Sequence, residues 1–516
     1  MAMSIRCVAA ILRNDTATTL QWQGCRGFFK PARLPRKRVQ CFCHGLICLL
    51  MTQNVQIPLW LLILILLFAA VTALSHFLLP SVRWFFRKRM ERVVTQMNTR
   101  LARPIEPFKL ARRHDMIQRI IYDPEVTAAI VEHAEDQDMP ENVAFEQARQ
   151  YAREIVPSFS ATAYFSFGMR IAKWLSRSFY RVRLGNFDRE ELSAIDPDAT
   201  VIFVMNHRSN MDYVLVTHLV SQASTLSYAV GEWARVWPLS AIIKAMGAYF
   251  IRRRSRGTLY RKILARYVQM ATENGVTQAF FPEGGLSLTG RTMEPKYGLL
   301  NYVISGLGAE GRDVIFVPVA INYDHVIEDR VLIKAGQDGN RRFGVKLTKA
   351  AGVILRYLGQ RLTGRFRKLG AASVSFGTPM SYQDFAAGRS EDLTEEIGQA
   401  LMDRIRAVVP VVPVPLIATS LLAQGTVASE VQLVRDVEAM LTELAAKGAA
   451  LPRRTAAQLV PDTLPDLVRR KIIKRDGDTI TFDEVDRAVL EYYRASIEHL
   501  MDATAAKSAE ISATAG

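Results

Sequence analysis

Apolar and polar positions change rhythm several times along these 516 residues. Ile57 to Leu79 is a run of 23 positions without a charge. As a helix it measures roughly 35 Å, enough to cross a hydrocarbon core. Pro58 falls in its first turn, where proline is tolerated, and Trp60 and Trp84 stand near the two interfaces. From about Leu101 to Phe187 apolar residues recur at three-to-four spacing among Ala, Glu and Gln, which predicts helices. From about Ala199 short apolar runs alternate with helical stretches: TVIFV, SYAV, AYFI, TQAFF, VIFVPVA and SVSF. Several are apolar throughout instead of alternating, so they predict an α/β fold with a mostly parallel central sheet flanked by helices. Past about Pro379 the helical pattern returns. There the run VVPVVPVPLIATSLL is interrupted by Pro410, Pro413 and Pro415, and reads as a packed connector instead of a membrane span. After about Ala505 the chain is rich in Ala, Ser and Thr and reads as a frayed tail. The expected divisions are a basic extension (1–50), a transmembrane anchor with its juxtamembrane segment (51–95), a helical region (96–190), the α/β domain (191–380) and a helical C-terminal region (381–516). No internal repeat is present.

Composition sharpens this picture. At 49% hydrophobic and 22% charged the chain can build a large core. Lys and Arg outnumber Asp and Glu by 66 to 50. The resulting +16 points to an anionic partner: a membrane surface, a nucleic acid, a phosphorylated substrate or an acidic carrier protein. Nucleic acid has only the charge behind it, since no RNP, helix-turn-helix or zinc-finger pattern accompanies it. All five cysteines lie within the first 48 residues, so no disulfide framework is available to the body and a reducing compartment fits. CFCH has no second Cys/His pair at finger spacing, so no metal is expected. Residues 1–50 carry eight Lys and Arg against Asp15, and Met51 makes a natural start. They read as a mis-assigned upstream extension, a disordered basic tail or an Arg-rich transit peptide. After the apolar run, RWFFRKRMER marks the cytoplasmic side, which would place the body in the cytoplasm. AYFSFGMRIAKWLSRSFYRVRLG is aromatic and basic without an acid. It suits either an anionic bilayer surface or a core helix with solvated arginines.

The candidate chemistry gathers where the predicted strands end, which is where open α/β sheets place their sites. TVIFV runs into Asn206, His207, Arg208, Ser209 and Asn210, with Asp212 following. A neutral imidazole suits a general base near pH 7, and a carboxylate on its other ring nitrogen fixes the tautomer. The spacing is awkward on one helix and natural if His207 sits in a loop. No G-x-S-x-G elbow supplies a nucleophile, so a dyad activating the substrate's own hydroxyl is the sharper reading. A second end, GAYFIRRRSRG, offers Arg252, Arg253, Arg254 and Arg256, whose planar forks suit phosphate. They fit a solvated basic rim equally well. A third, AFFPEGGLSLTGR, offers Glu283 and the paired Gly284 and Gly285, with Arg291 and Lys296 nearby. It matches neither a Walker loop nor a dinucleotide fingerprint, and a tight structural turn is the alternative. The fourth, VPVAINYDHV, has Pro318 inside an apolar strand, which signals an irregularity, and His325 as a second candidate base.

In order, NHRSNMDY, GAYFIRRRSRG, FPEGGLSLTGR and VPVAINYDHV resemble the four blocks of the glycerolipid acyltransferases, the bacterial membrane-bound glycerol-3-phosphate acyltransferases above all. YAREI, VVPVVPVPLIATSLL and VLEYYRASIEHL extend the likeness to roughly residues 100–500. It implies that His207 deprotonates the sn-1 hydroxyl of glycerol 3-phosphate, with Asp212 holding the imidazole. The oxygen then attacks the thioester of acyl-CoA or acyl-carrier protein. It implies that Phe250, Ile251 and Arg253, with Arg252 beside them, belong to the acceptor-binding block. Glu283, Gly284, Gly285 and Ser287 match the third block and Pro318 the fourth, with Arg291, Arg253 or Arg252 available to compensate for arginines the third block lacks. Membrane lipids are implied as partners and the bacterial inner membrane as location, without metal or acyl-enzyme. One departure stands out. The family commonly reads Glu-Gly-Gly-Arg-Ser-Arg in the third block, and here Leu286 and Leu288 replace both arginines. That opens two other readings: a lysophosphatidic acid acyltransferase, or a non-catalytic membrane-bound scaffold.

Overall fold

The computed structural model describes residues 58–69, isolated positions between 88 and 101, and 103–501 except 221–223, 232–233, 253–256, 308–310, 340–358, 361–366 and 390–391. The chain divides into two units, 1–87 and 88–516. In the first unit the described residues are helical from 59 to 69. The remainder of the expected membrane segment, the 1–50 extension with its cysteines, and the last residues of the tail lie outside the described residues. Among the described residues no helix is long and apolar enough to cross a membrane.

The second unit is built on an eight-stranded sheet: β1 (Arg181–Leu184), β2 (Thr200–Met205), β3 (Ser227–Gly231), β4 (Tyr249–Ile251), β5 (Gln278–Phe280), β6 (Val314–Tyr323), β7 (Ala371–Phe376) and β8 (Met380–Ser381). Their order is β1-β7-β6-β2-β5-β3-β4, with β8 pairing on β6. The stretch from β6 to β4 is parallel, while β7 and β8 run antiparallel to β6. All six predicted strands form.

Every residue of β2 is buried, as a central strand covered on both faces requires. Ile202 and Val204 face a core shared with the helices Arg113–Ile121, Pro124–Asp136, Glu141–Ile155, Thr258–Glu273 and Thr394–Ala407. Val201, Phe203 and Met205 face the opposite core, shared with Asp212–Val220, Pro413–Gln424, Glu430–Ala446, Ala456–Arg469 and Glu484–Arg494. The sheet is thus covered by helices on both sides, in three layers.

Three local expectations change. The stretch expected to be helical to Phe187 contains β1, which pairs with β7 at the sheet edge. The proline-spaced run is a buried helix, Pro413–Gln424, because Pro413 and Pro415 fall in its first turn, where their missing amides cost nothing. The C-terminal region also holds a small antiparallel sheet of β9 (Val427–Ser429), β10 (Lys474–Asp476) and β11 (Thr479–Thr481). Its β10–β11 hairpin turns at Gly477, whose φ of 59° is the left-handed conformation a tight turn needs.

Candidate active site

At the C-terminal end of β2, Asn206 replaces the sheet's backbone ladder with its side chain. Its Nδ2 donates to the Ile321 carbonyl at 3.0 Å and its Oδ1 accepts from the Ile321 amide at 2.7 Å. That fixes where the chain leaves the sheet. The next residues wrap around one carboxylate. Asp212, the first residue of the helix Asp212–Val220, accepts at Oδ2 from the amides of Arg208 (2.7 Å) and Ser209 (3.0 Å), and bonds His207 Nδ1 at 2.9 Å. Its Oδ1 accepts from the Tyr323 hydroxyl at 2.6 Å. A carboxylate can only accept here, so Nδ1 carries the hydrogen and Nε2 keeps its lone pair. The five-residue spacing is the span of this turn. Its outer side is held by Glu328, which accepts from the Ser209 hydroxyl and from the Asn210 amide and side chain.

The third block clamps the histidine. The His207 amide donates to Glu283 Oε1 at 3.0 Å, and its carbonyl accepts from the Ser287 amide at 3.0 Å. Its ring stacks on Phe281 with centroids 3.9 Å apart and meets the edge of Tyr213. Glu283 spends its other oxygen on the Met293 amide (3.3 Å), so its observed partners are backbone amides instead of arginines. Gly284 takes φ 66°, and a β-carbon there would run into Lys296. Gly285 follows it in the half-buried turn. The Ser287 hydroxyl donates to the Arg291 carbonyl and accepts from the Gly290 amide. The exposed Arg291 side chain pairs with Glu498. Leu286 and Leu288 are half-buried against the core below, with Leu288 abutting Gly336.

Arg208 is buried and donates through Nη1 to the Gly290 carbonyl, with its guanidinium 5.5 Å from the centre of the Tyr492 ring. Burial drives Glu283 up from its ordinary 4.5 to about 8, against the pull of the two amides and of Arg208. Between those values the folded chain holds a proton that the unfolded chain has lost. Stability therefore falls as pH rises from about 4.5 towards 8. Urea midpoints across that range should show the fall, and Glu283→Gln should flatten it; an unchanged slope would assign it elsewhere.

The other two blocks stand differently from expectation. Strand β4 is the sheet edge, three strand spacings from β2, roughly 14 Å. Phe250 is buried in the core and Ile251 is half-buried. Arg252, expected to bind acceptor, instead forks onto Glu154 at 2.8 and 2.6 Å, between the rings of Tyr151 and Tyr260. Arg253 lies outside the described residues. Pro318 needs no donor: its carbonyl takes the Gly377 amide, and its nitrogen falls where β7 ends and β8 begins. Burial holds His325 at about 3, which keeps its imidazole neutral. Tyr323, Phe281, Arg208 and Glu328 were missed as site residues. Tyr323 was findable, because it ends the strand paired beside β2.

This arrangement is matched by known sequences. Residues 186–322 match the Acyltransferase family model, and residues 359–512 match the Glycerol-3-phosphate acyltransferase C-terminal region. Residues 186–322, which hold the His207–Asp212 pair at a strand end, are thus similar to an acyltransferase domain. Over 76% of its length the chain is similar to bacterial glycerol-3-phosphate acyltransferases, as its four blocks suggest. It is 28% identical over 425 residues to the glycerol-3-phosphate acyltransferase of Actinobacillus pleuropneumoniae serotype 3 (strain JL03), and 26% identical over 424 to that of Pasteurella multocida (strain Pm70). Each alignment covers 76% of this chain and 50% of the relative, so the chain spans about half the length of these curated relatives. The crystal structure of the 1-acyl-sn-glycerophosphate acyltransferase PlsC from Thermotoga maritima aligns over 47% of this chain and 78% of its own, at 20% identity and a TM-score of 0.29. A likeness that slight carries no argument.

Proposed function

We propose that the protein moves a fatty acyl group from acyl-CoA or acyl-carrier protein to the sn-1 hydroxyl of glycerol 3-phosphate, giving lysophosphatidic acid. The observation that carries the chemistry is the buried His207–Asp212 pair with Nδ1 tied to the carboxylate. Nε2 takes the hydroxyl proton as the oxygen attacks the thioester carbonyl. The carbon–sulfur bond breaks, and the imidazolium returns the proton to the departing thiolate. Asp212 stabilises the imidazolium without taking its proton. The names of the relatives support glycerol 3-phosphate as acceptor. The expected anchor, with membrane lipids as partners and the bacterial inner membrane as location, belongs to the same proposal.

Leu286 and Leu288 leave a second reading open. The family commonly has arginines at these two positions, and their replacement removes two potential phosphate contacts, so the second reading of the acceptor is lysophosphatidic acid. Membranes containing the protein, given labelled acyl-CoA with each acceptor in turn, separate the two. Lysophosphatidic acid formed from glycerol 3-phosphate is the expected result. Product appearing only with the lysolipid replaces the first reading with the second.

A further inference from the structure

The helical stretch ahead of β1 is built inside out. Ala163–Gly168 is π-helical and Met169–Phe179 continues it as an α-helix. Tyr164 is buried in the π-helical turn, and from there on the positions turned towards the protein are small: Gly168, Ala172, Ser176 and Ser178. The positions it turns outward are large: Phe167 is 60% exposed and Trp174 45%, with Ile171 exposed between them. Spaced four and three residues apart, these three share one face. Arg170, Lys173 and Arg177 flank that face and, with Trp174 and Ser178, line an open hollow of about 340 Å³. No acid occurs from Ala163 to Gly185. An ordinary surface helix shows the reverse order, with its large apolar side chains inward and its charges outward.

The adjoining segment adds further exposed apolar residues. A β-carbon on Gly168 would collide with Met246, and the amides of Ser158 and Ser160 donate to the carbonyls of Lys244 and Ala245, so the helix Leu239–Ala245 lies alongside. Its Leu239 and Ile243 are half-buried against the core. Ile242 is 50% exposed, and Trp237, just ahead of it, is 80% exposed. Scattered exposed apolar residues are ordinary, but an apolar row along one helix face edged by cations marks an interaction surface.

We propose that this face rests on a bilayer containing anionic phospholipid. Phe167, Ile171, Trp174, Trp237 and Ile242 sit in the interfacial zone, and Arg170, Lys173 and Arg177 meet the headgroup phosphates. An acidic protein would answer the three cations but not the apolar row beside them, whereas a bilayer surface answers both. The docked helix packs against Asp212–Val220, whose first residue is Asp212. The seat on the membrane is therefore one helix from the His207–Asp212 pair, whichever acceptor is used.

The body has no cysteine after Cys48, which makes depth measurement direct. In the full chain with its five cysteines changed to serine, Ile171→Cys, Ile242→Cys or Val431→Cys takes a nitroxide label. Val431 is the control, exposed on a helix remote in sequence. In vesicles of phosphatidylethanolamine with phosphatidylglycerol, the ratio of oxygen to nickel-chelate accessibility should be severalfold higher at 171 and 242 than at 431. Labels at 171 and 242 that read as water-exposed as the one at 431 overturn the proposal. So does shielding of both by an acidic carrier protein without immersion in the vesicles. The readout is position and not turnover, so it stands or falls apart from the acyl-transfer reading.

Discussion

Alanine in place of His207 is expected to lower turnover by roughly 10²–10⁴-fold while the chain stays folded. The loss follows from chemistry. The ring is the only group in the first block that can hold a proton between a hydroxyl and a leaving thiolate near neutral pH. The survival of the fold follows from the contacts. What anchors residue 207 is backbone: its amide on Glu283 and its carbonyl on Ser287. Both persist in alanine. Asp212 also keeps the amides of Arg208 and Ser209 and the Tyr323 hydroxyl. The stability cost is then the lost ring stack on Phe281 and one hydrogen bond, about 1–3 kcal/mol. Initial rates with saturating acceptor, beside a urea melt of the same preparation, separate the two effects. Turnover within tenfold of the parent removes His207 from the role of base. Collapse of the melt would mean the loss of rate says nothing about chemistry.

The same contacts show what was legible in the sequence. The strands were readable because buried strands are mostly apolar, and β2, β3 and β5 through β7 have that composition. Strand β1 was not, because RVRL is a half-exposed edge strand set directly after a basic helix. Strand β10 reads KRD and is wholly exposed, so only the Gly477–Asp478 turn pair marks its hairpin. Each block could be placed at a strand end, but strand order is written in long-range pairing. The sequence therefore brought all four blocks to one point, while the sheet puts β4 at its far edge. The role of Glu283 was hidden for a related reason. A glutamate beside two glycines looks like a ligand group until its two oxygens are seen on the amides of His207 and Met293. Leu286 and Leu288 look like lost arginines in the sequence. In the fold they are half-buried packing residues, so restoring arginine at either would place a charge against apolar neighbours.

The C-terminal region is part of the site's scaffold. Tyr493 accepts from Arg470 and donates to Asp329, and its oxygen also takes the Val326 amide, which ties the helix Glu484–Arg494 to the segment that follows β6. Tyr492 lies under the guanidinium of Arg208, the residue after the proposed base. Residues matched to different family models thus meet around one loop.

Gly290→Ala should break that meeting and is expected to cost about 2–5 kcal/mol of stability. Two effects add. Gly290 has φ 85°, where a β-carbon costs roughly 1–2 kcal/mol. An ideal β-carbon would also stand 1.8 Å from the Tyr492 carbonyl oxygen. That neighbour is backbone inside a helix and cannot rotate away, so overpacking adds about 1–3 kcal/mol. Relief requires the Ser287–Arg291 turn or the helix Glu484–Arg494 to move. Either movement pulls the Gly290 carbonyl from Arg208 and loosens the Ser287 amide on His207. Activity should therefore fall together with the urea midpoint, unlike the His207→Ala case. Gly448→Ala isolates the first effect, since Gly448 has φ 71° with nothing within 4 Å of the added carbon. It should lose only the backbone share and keep full turnover. If both variants melt alike, the helix is not pressed against the turn, and the proposed coupling of the C-terminal region to His207 fails.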